Sequence, residues 1–143
     1  MKDEQKAFKW YQKVAGQGYV KAQYQLGWMY QYGESVDKDY VKVVGWYQKA
    51  AAQGLARAQH NLGILYANGR GINKDEEQAV AWHQKAAEQG NMYAQNNLGD
   101  MYHKGWGVEK NDIKALKWYE RAASQGDAEV QYNLERMYYN GWG

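Results

Sequence analysis

Residues 94–126 read AQNNLGDMYHKGWGVEKNDIKALKWYERAASQG, and this stretch decides the fold. Its apolar residues recur at helical spacing in two segments, and glycines end these segments at Gly105 and Gly126. The tryptophan in the stretch belongs to a series with a constant spacing of 36 residues, formed by Trp10, Trp46, Trp82 and Trp118. Self-similarity at such a period is typical of repeat proteins.

The period covers essentially the whole chain, because four repeats of 36 residues make 144 and the chain has 143. Short connections within and between repeats require neighbouring helices to run antiparallel. One helix pair cannot cover its own apolar face, whereas stacked pairs can. The predicted fold class is therefore all-α, a right-handed α-solenoid of antiparallel helix pairs. We expect about eight helices, in units at about 2–37, 38–73, 74–109 and 110–143.

Local signals place the helix ends in the third repeat. Asp75 is a plausible N-cap with Gln78 three residues later, and Gly90 ends that helix. Asn91 can cap the second helix. Gly99 lies on the apolar face of that helix and would let the partner helix approach closely.

Positions that barely vary between the repeats are predicted to form the structural core. Buried tryptophan and tyrosine each remove about 150–250 Å² from water, which allows a polar chain to hold a long, thin core. The core positions are Trp10, Trp46, Trp82, Trp118, Leu26, Leu62, Leu98, Leu134, Tyr30, Tyr66, Tyr102 and Tyr138.

Composition excludes several classes of protein. The absence of Cys excludes a disulfide scaffold, a Cys-ligated metal site and a thiol nucleophile. A net charge of +2, from 18 basic and 16 acidic residues, is too balanced to predict a nucleic-acid partner. No apolar run approaches the ~20 residues that cross a bilayer, and the first residues lack the apolar stretch of a signal peptide. We predict no membrane insertion, and the compartment stays open among cytoplasm, periplasm and secretion.

The repeat resembles the Sel1-like repeat, a relative of the tetratricopeptide repeat with a longer loop. The matching residues are Ala94, Leu98-Gly99, Tyr102, Gly105-Trp106-Gly107-Val108, Lys114-Ala115, Trp118-Tyr119, Ala122-Ala123 and Gln125-Gly126. The resemblance implies protein–protein interaction, as a scaffold or adaptor. The chain departs from the family pattern at Glu135, which replaces the helix-packing glycine of the last repeat. Its lack of cysteine separates it from a cysteine-rich branch for which β-lactam binding or hydrolysis has been proposed.

Neither end of the chain resembles the atypical, polar repeat that normally caps a solenoid. We therefore expect either a piece of a longer array or a short protein that associates end to end.

The resemblance implies that the second helix of each pair lines a concave groove. At these positions the four repeats differ most, and aromatic residues alternate with long cations. Tyr, Trp and Arg dominate binding hot spots, so we predict a protein or peptide partner, with a glycan left open. Carried over by register, the groove positions are Lys21, Tyr24, Trp28, Gln31, Tyr32, Arg57, His60, Ile64, Asn68, Tyr93, Asn96, Asp100, His103, Lys104, Glu129, Tyr132, Arg136, Tyr139 and Asn140.

Catalytic signals are weak. The chain has no nucleophile-elbow, phosphate-loop or zinc-protease motif. His83 stands where other repeats have tyrosine, which predicts a packed residue. Asp100 and His103 share a helix face, but no third metal ligand is evident. We predict no metal, no cofactor and no enzymatic activity.

Two alternatives to the binding module remain open. The first is an envelope or secreted protein of hydrolase-like or glycan-binding type. The second is an architectural solenoid that stacks end to end on itself.

Overall fold

The computed structural model describes residues 3–141, which form eight α-helices and no strand. The chain divides into two compact units. Met1–Lys74 contains the first four helices, and Asp75–Gly143 contains the last four. The predicted all-α helical-repeat fold is confirmed; residues 2 and 143, where the predicted units begin and end, lie outside the described range. The helices are α1 (Glu4–Gly16), α2 (Val20–Tyr32), α3 (Tyr40–Ala52), α4 (Ala56–Asn68), α5 (Glu76–Glu88), α6 (Met92–Lys104), α7 (Asp112–Ala123) and α8 (Ala128–Tyr139).

Helix ends follow the predicted capping residues. The Asp75 side chain accepts a hydrogen bond from the backbone N–H of Gln78 at 3.0 Å, and Asn91 accepts one from Ala94 at 2.9 Å. Each bond satisfies a backbone donor that has no partner inside its helix. At the other end of α6, Gly105 adopts the left-handed conformation with φ 69°, which glycine tolerates without a steric penalty.

In each unit a buried tyrosine packs directly against a glycine of the neighbouring helix. In the first unit, Tyr47 of α3 is buried against Gly27 of α2, where an added Cβ would lie 2.5 Å from Tyr47 Cδ1. In the second unit, a Cβ on Gly99 of α6 would lie 2.8 Å from Tyr119 Cε1 of α7. The predicted close approach at Gly99 is therefore confirmed, and glycine is required because any side chain would meet the ring.

Two series of glutamines, each recurring every 36 residues, join the helices by hydrogen bonds, which the sequence reasoning missed. Gln23 is buried in α2 and donates from Nε2 to the carbonyl oxygen of Ala15 at 3.2 Å. Gln53 then donates to Gln23 Oε1 at 2.8 Å and to the carbonyl oxygen of Gly18 at 2.9 Å. In the second unit, Gln95 and Gln125 form the same bonds. These bonds satisfy polar groups that burial would otherwise leave without partners.

Burial matches most of the predicted core positions. Leu26, Leu62 and Leu98 are completely buried and Tyr30 is nearly so. Six further core positions are half-buried: Trp46, Trp82, Trp118, Leu134, Tyr66 and Tyr102.

The prediction of burial is wrong at two core positions. Trp10 is 62% exposed and Tyr138 is 48% exposed. In the interior of a unit, Lys42 from the following helix covers Tyr30, with Nζ 5.1 Å from the ring centroid. No helix follows α8 within the described residues, so Tyr138 has no such cover. Trp10 lies on α1, which packs mainly on α2 and leaves its other faces in solvent.

Candidate functional site

In the first unit, the predicted groove residues pack on one another. Tyr24 stacks on Tyr47 with ring centroids 5.4 Å apart, and Arg57 Cζ lies 5.1 Å from the Tyr24 ring centroid. Trp28 packs against Tyr32 with centroids 4.9 Å apart. Tyr24 and Arg57 are thus held by intramolecular contacts, whereas Tyr32 offers an exposed ring.

In the second unit, the helices α6, α7 and α8 form a polar cleft with a volume of about 330 Å³. Tyr119 of α7 and Asn133 and Met137 of α8, none of them predicted as site residues, line part of it. Five predicted groove residues complete the lining: Asp100, His103, Lys104, Arg136 and Asn140. The structure therefore brings together residues from both predicted groove helices of this unit.

The buried tyrosines of the two units donate hydrogen bonds to different acceptors. The Tyr47 hydroxyl donates to Gln31 Oε1 at 2.8 Å, whereas the Tyr119 hydroxyl donates to Asp100 Oδ1. Two repeats earlier, in the first unit, Trp28 occupies the position of Asp100. Its indole ring offers no hydrogen-bond acceptor for a tyrosine hydroxyl. Gln31 is likewise replaced by His103 in the second unit, so two sequence differences between the units accompany the change of acceptor.

The predicted Asp100–His103 pair is not a preformed metal site. Asp100 accepts from Tyr119, and His103 Nδ1 lies 2.7 Å from Asp112 Oδ1 at the start of α7. The two side chains are therefore turned to separate partners. Residues 3–141 hold no group of three or more acidic, His or Cys side chains that could bind a metal ion.

Burial shifts the proton affinities of several groups. Desolvation raises the pKa of Tyr47, and desolvation together with the bond to Asp100 raises that of Tyr119. Both hydroxyls are therefore protonated donors at neutral pH. Burial also lowers the pKa of His60 to about 4, so this imidazole is neutral under ordinary conditions. His83 is buried, as predicted from its place in the repeat.

The other predicted groove residues are not gathered into the cleft. Lys21 lines a separate depression between α1 and α2, together with the exposed rings of Trp10 and Tyr11. Asn96 is partly buried, and its side-chain oxygen accepts no hydrogen bond from any residue in the described range. Ile64 and His60 are half-buried. Exposed positions outside the cleft lining are Asn68, Tyr93, Glu129, Tyr132 and Tyr139.

Sequence reasoning missed Tyr119 because the first helix of each pair was treated as structural. Tyr119 belongs to α7, a first helix, and the groove was assigned to second helices alone. Asn133 and Met137 lie on α8, a second helix, but outside the positions that the register placed on the groove. The signal that could have revealed Tyr119 is its alignment with Tyr47 at twice the period, opposite a periodic glycine.

A periodic array of antiparallel helix pairs, with variable polar residues on the second helices, defines a protein of the helical-repeat class. The Sel1 repeat family model matches residues 1–19, 20–55, 56–91 and 93–127. The chain therefore belongs to the Sel1 repeat family, whose members are generally protein-interaction modules. Most family repeats begin at a second helix, which agrees with the extensive packing of α2 on α3 and of α6 on α7.

Solved structures show the same fold. A protective antigen of uropathogenic Escherichia coli with an SLR fold is 42% identical, with a TM-score of 0.95 over 99% of this chain and 30% of that one. A Sel1 repeat protein from Oxalobacter formigenes is 38% identical, with a TM-score of 0.89 over 95% of this chain and 54% of that one. Cysteine-rich protein B of Helicobacter pylori is 28% identical, with a TM-score of 0.65 over 82% of this chain and 90% of that one.

The chain thus spans about a third and about half of the length of the first two relatives. A search of the curated proteins finds no match. None of the helices in residues 3–141 has the length and apolar character that crossing a bilayer requires.

Proposed function

We propose that this chain is a non-enzymatic interaction module that binds a peptide segment of a protein partner through the second helices of its repeats. One observation carries the proposal: five residues placed on the groove by the register of the family resemblance line one cleft, formed by α6, α7 and α8. Family membership supports the same class of function.

The chemistry of the cleft suits peptide recognition. Asn133 and Asn140 each offer an amide that can donate to and accept from a peptide backbone. The volume of about 330 Å³ lies at the lower end of the range for ligand pockets and fits one or two residues of an extended segment. Recognition by a rigid helical scaffold also limits the entropy lost on binding.

The alternatives have less support. The sequence carries no nucleophile-elbow motif, and the Nδ1 atom of His103 faces Asp112 Oδ1 at 2.7 Å. End-to-end stacking of α8 on α1 is disfavoured by Glu135. This residue replaces the glycine that the tyrosine of a following helix requires, as Gly27 and Gly99 show.

The test uses two variants with the same change in charge. Lys104→Ala/Arg136→Ala removes two cations of the cleft, and Lys85→Ala/Arg121→Ala removes two cations of the first helices. All four cations rest on aromatic rings, so each variant removes one lysine and one arginine from the same kind of environment. The immobilised protein is probed with a pool of random heptapeptides, and helicity is checked by circular dichroism.

We expect peptide retention by the native chain and by the Lys85→Ala/Arg121→Ala variant, and no retention by the cleft variant. Native chain that retains no peptide, or cleft variant that retains the same peptides, would refute the proposal.

A further inference from the structure

Two cations border the cleft without an ionic partner in the described part of the chain. Lys104 Nζ lies 4.3 Å from the Trp106 ring centroid, and Arg136 Cζ lies 6.0 Å from that of Tyr132. Within residues 3–141, neither side chain forms an ion pair with a carboxylate. A guanidinium that rests its face on a ring keeps its edge N–H donors available for an anion.

Asp100 is the acidic residue of the cleft lining, and Asp112 lies outside that lining. Both carboxylates face other residues of the chain. Asp100 accepts at Oδ1 from the Tyr119 hydroxyl, and Asp112 faces His103 Nδ1 at 2.7 Å. Asp100 is one carboxylate against the two cations, and the other lining groups of α8 are neutral. The cleft therefore carries excess positive charge, while Asp100 Oδ2 remains an acceptor for a peptide N–H.

The first unit supplies an internal contrast. Two repeats earlier, the positions of Asp100, Lys104 and Arg136 hold apolar or aromatic side chains. The same helix positions therefore carry charge in one unit and lack it in the other. The excess charge is a property of the second unit and not a general feature of the repeat. The first-unit counterparts are Trp28, Tyr32 and Ile64.

We infer that the α6–α7–α8 cleft binds a carboxylate of its ligand, with Lys104 and Arg136 as the two recognising groups; this inference rests on the proposed peptide-binding function. Arg136 supplies paired N–H donors that match the two oxygens of a carboxylate, and Lys104 adds a compact charge. Asn133 and Asn140 hold the adjoining backbone. The carboxylate belongs to an acidic side chain or to a peptide C-terminus, which share this chemistry.

Three pools of acetylated heptapeptides distinguish these sources. The first pool has a central Glu and an amidated C-terminus, the second has a central Gln and an amidated C-terminus, and the third has a central Gln and a free C-terminal carboxylate. All other positions are random and exclude acidic residues. Binding to native chain, to Lys104→Ala/Arg136→Ala and to Lys85→Ala/Arg121→Ala is measured at low and high salt.

We expect the first or the third pool to bind the native chain at least about tenfold more tightly than the second, as a charge-assisted hydrogen bond implies. That preference should disappear in Lys104→Ala/Arg136→Ala, persist in Lys85→Ala/Arg121→Ala and weaken with salt because the cleft is open to solvent.

The experiment gives different results for a failure of the carboxylate inference and for a failure of the proposed peptide binding. Equal binding of all three pools, abolished in the cleft variant, overturns the carboxylate inference and leaves peptide binding intact. Binding of no pool overturns the proposed function. A preference for acidic pools that is abolished in Lys85→Ala/Arg121→Ala instead places carboxylate recognition elsewhere on the chain and overturns the assignment to this cleft.

Discussion

Replacement of Gly27 by alanine should destabilise the first unit, although alanine is the better helix former. An added Cβ would lie 2.5 Å from Tyr47 Cδ1, well inside van der Waals contact. The ring cannot move aside freely, because it is completely buried, stacks on Tyr24 and donates to Gln31 at 2.8 Å. The clash must therefore be relieved by a shift of α2 against α3.

The magnitude follows from three contributions. Overpacking of a core costs about 1–3 kcal/mol, and a weakened tyrosine hydrogen bond adds about 0.5–1.5 kcal/mol. Alanine recovers about 1 kcal/mol relative to glycine within a helix. The expected result is a decrease of about 0.5–3.5 kcal/mol in the free energy of unfolding.

Gly45 provides the matched control. It lies inside α3, and nothing is within 4 Å of the position that its Cβ would take. Gly45→Ala should therefore stabilise the chain by about 1 kcal/mol. Urea unfolding followed by circular dichroism should separate the midpoints of the two variants by about 0.5 M or more, given urea slopes of about 1–3 kcal/mol/M.

A Gly27→Ala midpoint at or above that of the native chain would refute the reasoning. A second arm tests the cause directly. In a Tyr47→Leu background the ring is absent, so Gly27→Ala should no longer destabilise and should show the helix preference of alanine. If Gly27→Ala still destabilised the chain in the Tyr47→Leu background, the strain would not come from contact with the Tyr47 ring.

Two further predictions concern single side chains. Ser35 has φ 66° and a buried hydroxyl without a hydrogen-bond partner in the described range, so Ser35→Gly should stabilise the chain by about 1 kcal/mol in urea unfolding. Ser124→Gly should instead destabilise, since φ is −63° there and the hydroxyl donates to a backbone oxygen at 2.6 Å; equal effects would contradict the strain argument. Burial lowers the pKa of His60 to about 4, so the unfolded chain takes up a proton at higher pH than the folded chain does. Stability should fall as pH drops from about 6.5 to about 4, and His60→Gln should make that fall shallower; an unchanged profile would exclude His60 as its source.

Periodicity made much of the fold predictable. Helix starts at Asp75 and Asn91, the left-handed Gly105 and the buried leucines all follow from local signals that recur every 36 residues. The failures are Trp10 and Tyr138, because a repeated position predicts burial only where neighbouring helices cover it on the required side.

Prediction of the candidate site was partial because the contacts between side chains on different helices cannot be derived from the repeat period. The register of the family resemblance placed Asp100, Lys104 and Arg136 on the groove, but it could not show that they line one cleft with Tyr119 of another helix. Nor could it show that the Tyr24 ring stacks on Tyr47 and that the Arg57 guanidinium lies over the Tyr24 ring.

The division between the two kinds of information has a simple physical basis. Helix formation, capping and the left-handed glycines at helix ends depend on residues a few places apart, so the repeat period contains them in full. The choice of Gln31 or Asp100 as tyrosine acceptor, the glutamine bonds and the cleft charge depend on distances between side chains on separate helices. Those distances are set when the helices pack, and no pattern along the chain records them.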